Sequence, residues 1–492
     1  MILRSIIALL LIAIFTPNLG AAILTVGPSG IYSSLQVAVD AAIVAGGHQE
    51  IRVQAGVYYE NLSVGPTSFV GTISIVGGWN DDFSVRSLDP GSTVVDGNQS
   101  GRPLTVDLSG GSILFDSITF SNGLVQDTSS FGGGVDAWLS GNAVFQMENC
   151  RVSQNSVVSP GQAWGGGISA RTRGGSELHM NNVSVVDNVA DCVVGGGSGG
   201  LYIVASDTST VVISSAAIER NSVHTENGIA VIQYGGIAVF GDGDSVVVVE
   251  DSLVKENKLL GSSSVWASGA QLDGGQSLTV RRCRFIDNSA DSSNNVYQTV
   301  IRSGLFTDSI VAGGNANGLY IHGNDISVQA TNLTIADAPG VGLNLYVGTN
   351  SHIAIFNSIA FGNMVDLEIS PSSTGFLDMD FNLIGIDPGF VEPAFRDYHL
   401  LIGSPAENAG TNSPPGALGP LDCDRGPRII DSTVDIGAYE GISEVFTDGF
   451  ESSTTQAWSN VFPADVEPLP VDALGTRFGS KSDLNQSLTN RG

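Results

Sequence analysis

Basic side chains are scarce in this sequence: 20 Lys and Arg stand against 49 Asp and Glu in 492 residues, a net charge of -29. That balance argues against nucleic acid and anionic membrane surfaces as partners, because both are held by basic patches. Cations and cationic surfaces are the partners electrostatics favours. Cysteine is nearly missing, with four in all, which excludes a disulfide framework. Aromatic residues reach only 7% and charged residues 14%. Long apolar runs are absent beyond Ile6 to Phe15, which is too short for a membrane span, so no transmembrane segment is expected in the mature chain. Glycine is abundant, at 63 residues, and fits a Gly-rich β protein.

The beginning of the chain combines Arg4, the apolar run Ile6 to Phe15 and a small-residue end at Gly20-Ala-Ala22. This pattern predicts a secretory signal peptide over 1–22 and an extracellular or outer-surface location.

From Gly132 to Asn288 one pattern is written five times. Each copy has a Gly-rich opening, an alternating apolar run and a turn that closes on Asn155, Asn188, Asn221, Asn257 or Asn288. A period near 33 residues marks a repeat architecture. Aligned on the Asn, the third residue before it is Val152, Val185, Ile218, Val254 or Phe285. The eighth is Met147, Met180, Ile213, Val249 or Val280, and the tenth is Phe145, Leu178, Val211, Val247 or Leu278. The fifth is small or apolar: Cys150, Val183, Ala216, Ser252 and Cys283. Spacings of two within each pair are the strand period, and the odd step between pairs marks a bend. Two short strands joined by a bend and restacked like above like predict a parallel β-solenoid. Cys150 and Cys283, four coils apart at roughly 19 Å, are too distant to bridge and read as buried small hydrophobes. The Asn column is expected to be structural, as a left-handed turn residue and as a ladder of stacked amides. The phased glycines, Gly132 to Gly134 and Gly165 to Gly167 among them, are expected at corners where backbones approach closely. No Lys-Ser/Thr follows them, so they do not read as phosphate loops.

The pairing of Gly132-Gly-Gly-Val135 and Gly165-Gly-Gly-Ile168 with Phe285-Ile-Asp-Asn288 resembles the repeats of the polymorphic outer-membrane protein family. That resemblance implies a right-handed parallel β-helix displayed outside the cell. Four of the five closing turns depart from the family by carrying Val or Ile where it has Phe. The segment Val26-Gly-Pro-Ser-Gly-Ile-Tyr32 through Ala55-Gly-Val-Tyr-Tyr-Glu60 is similar to the opening of pectin-lyase-like proteins. The C-terminal third, with Phe381-Asn-Leu-Ile-Gly-Ile-Asp-Pro-Gly389, Gly403-Ser-Pro-Ala-Glu-Asn-Ala-Gly410 and Asp435-Ile-Gly-Ala-Tyr-Glu440, resembles the closing segment of bacterial β-helix proteins of the choice-of-anchor type. Phe446-Thr-Asp-Gly-Phe-Glu451 with Trp458 is similar to a short terminal motif of exported gram-negative proteins.

The expected organisation is a signal peptide (1–22), an N-terminal cap with a helix near Tyr32 to Val44 and first coils (23–105), the β-helix (106–370), a closing segment (371–440) and a disordered tail with the DGFE motif (441–492). A first coil places Ile113, Phe115, Ile118 and Phe120 on the inward columns. Slimmer coils follow, with Val328, Ala330, Leu333 and Ile335, then Ala354, Phe356, Ile359 and Phe361 facing inward. Their closing positions are Ala338 and Met364.

Outward positions leave few candidates for chemistry. Arg281, Arg282 and Arg284 form the densest basic cluster, and with Asp287 they are the predicted ligand site, suited to an acidic sugar. Arg220 between Asp187 and Glu256, and Glu219 beside Lys255, are expected as cross-coil ion pairs. His322 with Asp325 and the pair Asp81-Asp82 are weaker candidates. Asp387, Asp422, Asp424 and Asp435 make calcium a candidate cofactor, although aspartates of this kind are commonly turn and cap residues. The Asp-Asp, Gly-His-Gly and Arg-x-Lys set of polygalacturonases is missing. Two functions stand: an exported scaffold that adheres to extracellular polysaccharide or another cell surface without catalysis, and a polysaccharide lyase or glycoside hydrolase with an unfamiliar site. No catalytic residue is assigned.

Overall fold

Alternation of apolar and polar residues in short runs, with turn residues between them, builds a right-handed parallel β-helix. The computed structural model describes residues 22–193, 196–225, 233–261, 267–274, 277–291 and 297–441. The signal-peptide and DGFE-tail expectations lie outside the described residues. One helix, Leu35–Ala45, covers the N-terminal end and buries Leu35, Ala38, Val39 and Ala42. Ser34 caps it, and the carboxylate of Glu60 accepts from the N–H groups of Leu35 and Gln36, donors a helix start leaves free.

One wide coil runs through an opening strand (Val135–Leu139), a middle strand (Val144–Glu148), a closing strand (Arg151–Ser153), a side strand (Ser156–Ser159) and a lead-in strand (Gln162–Trp164). Each pairs in parallel with its counterpart on the next coil: Phe145 faces Leu178, Val152 faces Val185 and Val135 faces Ile168. All four predicted inward columns are buried, and Ile113, Phe115, Ile118 and Phe120 extend them backwards. Cys150 and Cys283 sit among them as free thiols, pushed up to about 12 by burial.

The Asn column is a ladder inside the protein. The carboxamide oxygen of Asn188 accepts from the backbone N–H and from Nδ2 of Asn155, both at 3.0 Å. The same pair of bonds links Asn188 to Asn221, Asn221 to Asn257 and Asn257 to Asn288. Gly123 donates into the top at 2.8 Å, and Gln298 closes the bottom by accepting from Asn288. One part of the expectation is corrected. The left-handed residues are not the asparagines but their predecessors, Gln154, Asp187, Arg220, Glu256 and Asp287, with φ between 52° and 59°. A second left-handed position ends each middle strand, at Asn149, Asn182, Ser215, Asp251 and Arg282. The Asn is thereby freed to point inward.

The phased glycines complete the ladder. A Cβ at Gly134 would lie 2.6 Å from Nδ2 of Asn155, and one at Gly236 would lie 2.8 Å from Nδ2 of Asn257. Opening glycine and closing Asn are two halves of one device, because the amide fills the volume the missing side chain leaves.

After Ala290 the coils slim. The six-stranded side sheet ends at Ser289–Ala290, where the amide of Asn315 donates to the carbonyl of Ala290 and accepts from its N–H. That side chain satisfies the edge as a seventh strand would. Equivalent residues of successive coils are then 24 to 26 apart. Val328, Ala330, Leu333 and Ile335 point inward as expected. The next coil is shifted by one from the expectation: Ile353, Ile355 and Ala360 lie on the columns, facing Val328, Ala330 and Ile335. Ala354, Phe356, Ile359 and Phe361 stand on the other side, and Asn363, not Met364, donates and accepts at the close. A one-residue slip exchanges the two faces of a strand, and here both faces are apolar, so hydrophobicity does not specify the register. Parallel pairing continues past Ile369 to Ile384.

Ile359 is buried because the C-terminal segment folds back along the coils as a strap. Phe390, Tyr398, Ala406, Cys423, Ile436, Ala438 and Tyr439 pack on the outer side of Ile286, Ile310, Ala312, Ala336 and Ile359. The strap is fastened by arginines to carboxylates at left-handed turn positions. Arg396 binds Asp287 at 2.6 Å and Asp337 at 3.1 Å, Arg425 binds Asp251 at 3.1 Å, and the buried Arg428 reaches Asp308 at 3.4 Å while pairing with Glu440 of the strap itself at 3.0 Å.

Candidate functional site

The predicted Arg281, Arg282, Arg284 and Asp287 are brought to one side of the solenoid, but much of their charge is engaged inside the protein. Arg282 is buried and donates to both oxygens of Asp251 and to Glu250, while Arg281 takes Glu250 at 2.6 Å. Both carboxylate oxygens of Asp287 accept from Arg396 of the strap. Arg284 remains exposed. Arg220 pairs with Asp187 and with Glu219 on its own strand, and Lys255 turns to Glu256 instead of the expected Glu219. His322 stacks on Tyr320 at 4.3 Å, and burial with the nearby Arg302 lowers it to about 4, so the ring is neutral. Asp325 instead accepts from Asn350.

The aspartates considered for calcium are turn residues. Asp422 accepts from the N–H groups of Asp424, Gly426 and Glu440, Asp435 from those of Asn408 and Gly441, and Asp387 from that of Gly389. Asp424 holds His399 at 2.8 Å. Among the described residues no three His, Cys, Asp or Glu side chains are grouped to hold a metal ion. Asp81 and Asp82 likewise serve Gln54 and Ser84.

A different set of side chains converges on the outer side of the opening and lead-in strands. Strand alternation sends Val135, Ala137 and Leu139 inward and Asp136 and Trp138 outward. Register then sets Asp136 beside Thr105 and Ser169, and Trp138 between Asp107 and Arg171. The Arg171 guanidinium lies 3.6 Å from the Phe131 ring centre and 4.9 Å from that of Trp138, an arginine between two aromatic planes. It reaches Asp136 at 3.5 Å, and Arg102 approaches the same carboxylate at 3.8 Å while donating to the carbonyls of Phe131 and Gly132. Nη2 of Arg171, although buried, meets no acceptor among the described residues. Burial holds Asp136 above the usual carboxylate range against the pull of Arg102 and Arg171, and lowers both guanidinium groups.

Further rings continue from this cluster along the axis. Trp164 stacks on Tyr202 at 4.6 Å, Tyr202 and Tyr234 both meet Phe240, and Tyr297 stacks on Tyr320 at 4.6 Å. Stacking consumes most of their faces. Trp138 keeps 44% of its surface exposed and so offers an open aromatic platform. This arrangement presents a flat ring, a planar cation and a carboxylate within one small area, the combination that binds the apolar face and the polar edge of a ring-shaped, hydroxylated molecule.

These residues lie outside the repeating closing turns and corners. Their signal was the alternation after each Gly-rich opening, Val135-Asp-Ala-Trp-Leu139 and Ile168-Ser-Ala-Arg-Thr172, whose outward members are Asp, Trp, Ser and Arg. A separate cleft of about 440 Å³ opens at the step where the side sheet stops, lined by Asp291, Asn315, Asn317 and Pro339 among others. Set beside known proteins, the chain matches no family model and no curated protein.

Proposed function

We propose that the protein is an exported, surface-associated or extracellular β-helix scaffold that binds glycans on the face centred on Trp138 and Arg171. The carrying observation is the 44% exposed Trp138 indole beside the partly exposed Arg171 and Asp136, whose guanidinium and carboxylate lie 3.5 Å apart. A sugar ring stacks on such an indole, and hydroxyl or carboxylate groups accept from the arginine. Export is supported by the leader-like first 22 residues. The resemblances to pectin-lyase-like, polymorphic outer-membrane and choice-of-anchor proteins favour the same setting.

The test is affinity electrophoresis and tryptophan-fluorescence titration of the full-length protein against acidic and neutral polysaccharides. Retardation by at least one polymer, reduced tenfold or more in Trp138→Ala and Arg171→Ala with melting unchanged, supports the reading. No retardation by any polymer, or retardation indifferent to both variants, overturns it.

A second reading, a lyase or glycosidase acting on an acidic polysaccharide, draws on the raised Asp136 between two arginines of lowered basicity, since a carboxyl group that keeps its proton can act as a general acid. Release of reducing or unsaturated sugar ends, with and without calcium, separates the two, and loss of release in Asp136→Asn identifies the acid.

A further inference from the structure

The two ends of the solenoid are finished differently. The N-terminal end is closed by the helix Leu35–Ala45. At the other end the last strands, Val365–Ile369, Phe376–Asp380 and Leu383–Ile384, pair only backwards, with 341–347, 352–356 and 359–361. No strand among the described residues pairs with their far side. Leu367, Leu377, Met379 and Ile384, whose counterparts in earlier coils are covered by the next layer, are only partly buried. Phe376 is 63% exposed, and Val365, Ile369 and Phe381 are also open. An open parallel edge with apolar side chains is a template for strand addition.

Charge narrows what it accepts. Residues 364–387 contain Asp366, Glu368, Asp378, Asp380 and Asp387 and no Lys, Arg or His. Two copies joined through this end would bring like-charged edges together, which opposes pairing.

We propose that this end is a docking edge for an extended segment of a partner protein with alternating basic and apolar side chains. The segment adds a strand to the last coil, sets its apolar residues over Leu377 and Met379, and places its cations by Glu368 and Asp378. This site is independent of the glycan face.

The probe is a labelled ten-residue peptide alternating Lys and Val, titrated by fluorescence anisotropy into the full-length protein at low salt. Three comparators accompany it: the Glu-Val counterpart, a Lys-Val peptide with alternate amides N-methylated, and two protein variants of equal charge change. One variant is Glu368→Lys with Asp378→Lys. The other is Asp40→Lys with Asp244→Lys, at exposed positions of the capping helix and of a distant turn. The expected result is binding of the Lys-Val peptide that weakens at least tenfold on N-methylation and in the edge variant, and less than threefold in the control variant. If the edge variant melts early, Glu368→Gln with Asp378→Asn replaces it, with an expected loss of at least threefold. Equal losses in edge and control variants, indifference to N-methylation, or no binding overturns the proposal. So does a concentration-dependent dimer of the protein alone at neutral pH, which would assign the edge to a second copy.

Discussion

The two outer faces of the same coils carry similar residue types to opposite ends. On the strap side, Arg282 and Asp251 bind each other, Arg425 joins Asp251, and Arg396 takes Asp287. On the opening-strand side, Arg171 and Asp136 touch at 3.5 Å and the Trp138 ring beside them stays open to solvent. A cluster of charge on a solenoid is therefore not a site by itself. What distinguishes a fastening from a site is whether the rest of the chain returns to satisfy it.

Loss of a fastening should cost the most stability. Arg428→Ala leaves Asp308 and Glu440 buried without their cation and is expected to cost about 3–5 kcal/mol. Urea unfolding should show this together with protease cleavage between 390 and 440, whereas Arg171→Ala should leave both unchanged. A loss from Arg171→Ala as large as that from Arg428→Ala would erase the distinction between the faces. The ladder under both faces comes next. Asn221→Ala leaves the buried N–H of Asn188 without its acceptor and the carbonyl of Val185 without its side-chain donor, and an expected loss of about 2–4 kcal/mol should appear in the same assay without separating strap from coils.

The strap also responds to pH. Glu440 is raised to about 7 by burial, opposed by Arg428 and reinforced by Asp435. Burial lowers His399, but hydrogen bonds to Asp397 and Asp424 outweigh it and leave the ring raised. For both groups the folded state holds the proton more tightly than the unfolded chain does. Their contribution is fully present below the unfolded values and is lost as pH rises through the folded ones. The strap should therefore be tighter near pH 5 than near pH 8, and Glu440→Gln should flatten that slope. Melting curves across this range check it, and a rise in stability toward pH 8 would contradict it. The smallest effect is expected from Arg220→Ala, whose exposed pairs with Asp187 and Glu219 contribute below about 1 kcal/mol in thermal melts.

The inward columns and the Asn ladder were legible because they recur: a residue type repeated at a fixed period in five coils reports its own environment. The left-handed positions beside each Asn were not, since Gln154, Asp187, Arg220 and Glu256 share no chemistry, only a backbone angle. The register of the coil at 352–363 was hidden by a doubly apolar strand. Yet that ambiguity was itself a signal. Outward positions include Arg151, Glu219 and Lys255 in the wide coils but turn apolar at Ile286, Ile310, Ala312 and Ile359, as expected where something covers them. The face around Trp138 was missed because it does not repeat. Asp136, Ser169 and Tyr202 occupy one column with three different side chains, and only register brings Arg171 beside Trp138.

The strap also orders events in time. Contacts between coils join residues 31 to 36 apart in the ladder, so each layer can be laid on the last as the chain lengthens. Arg396 must find Asp287 across 109 residues, Arg428 must find Asp308 across 120, and Arg425 must find Ser215 across 210. Those closures have nothing to close upon until the coils exist. The strap is accordingly expected to close last, and a chain halted before residue 396 is expected to present a built solenoid whose acidic turns still await their arginines.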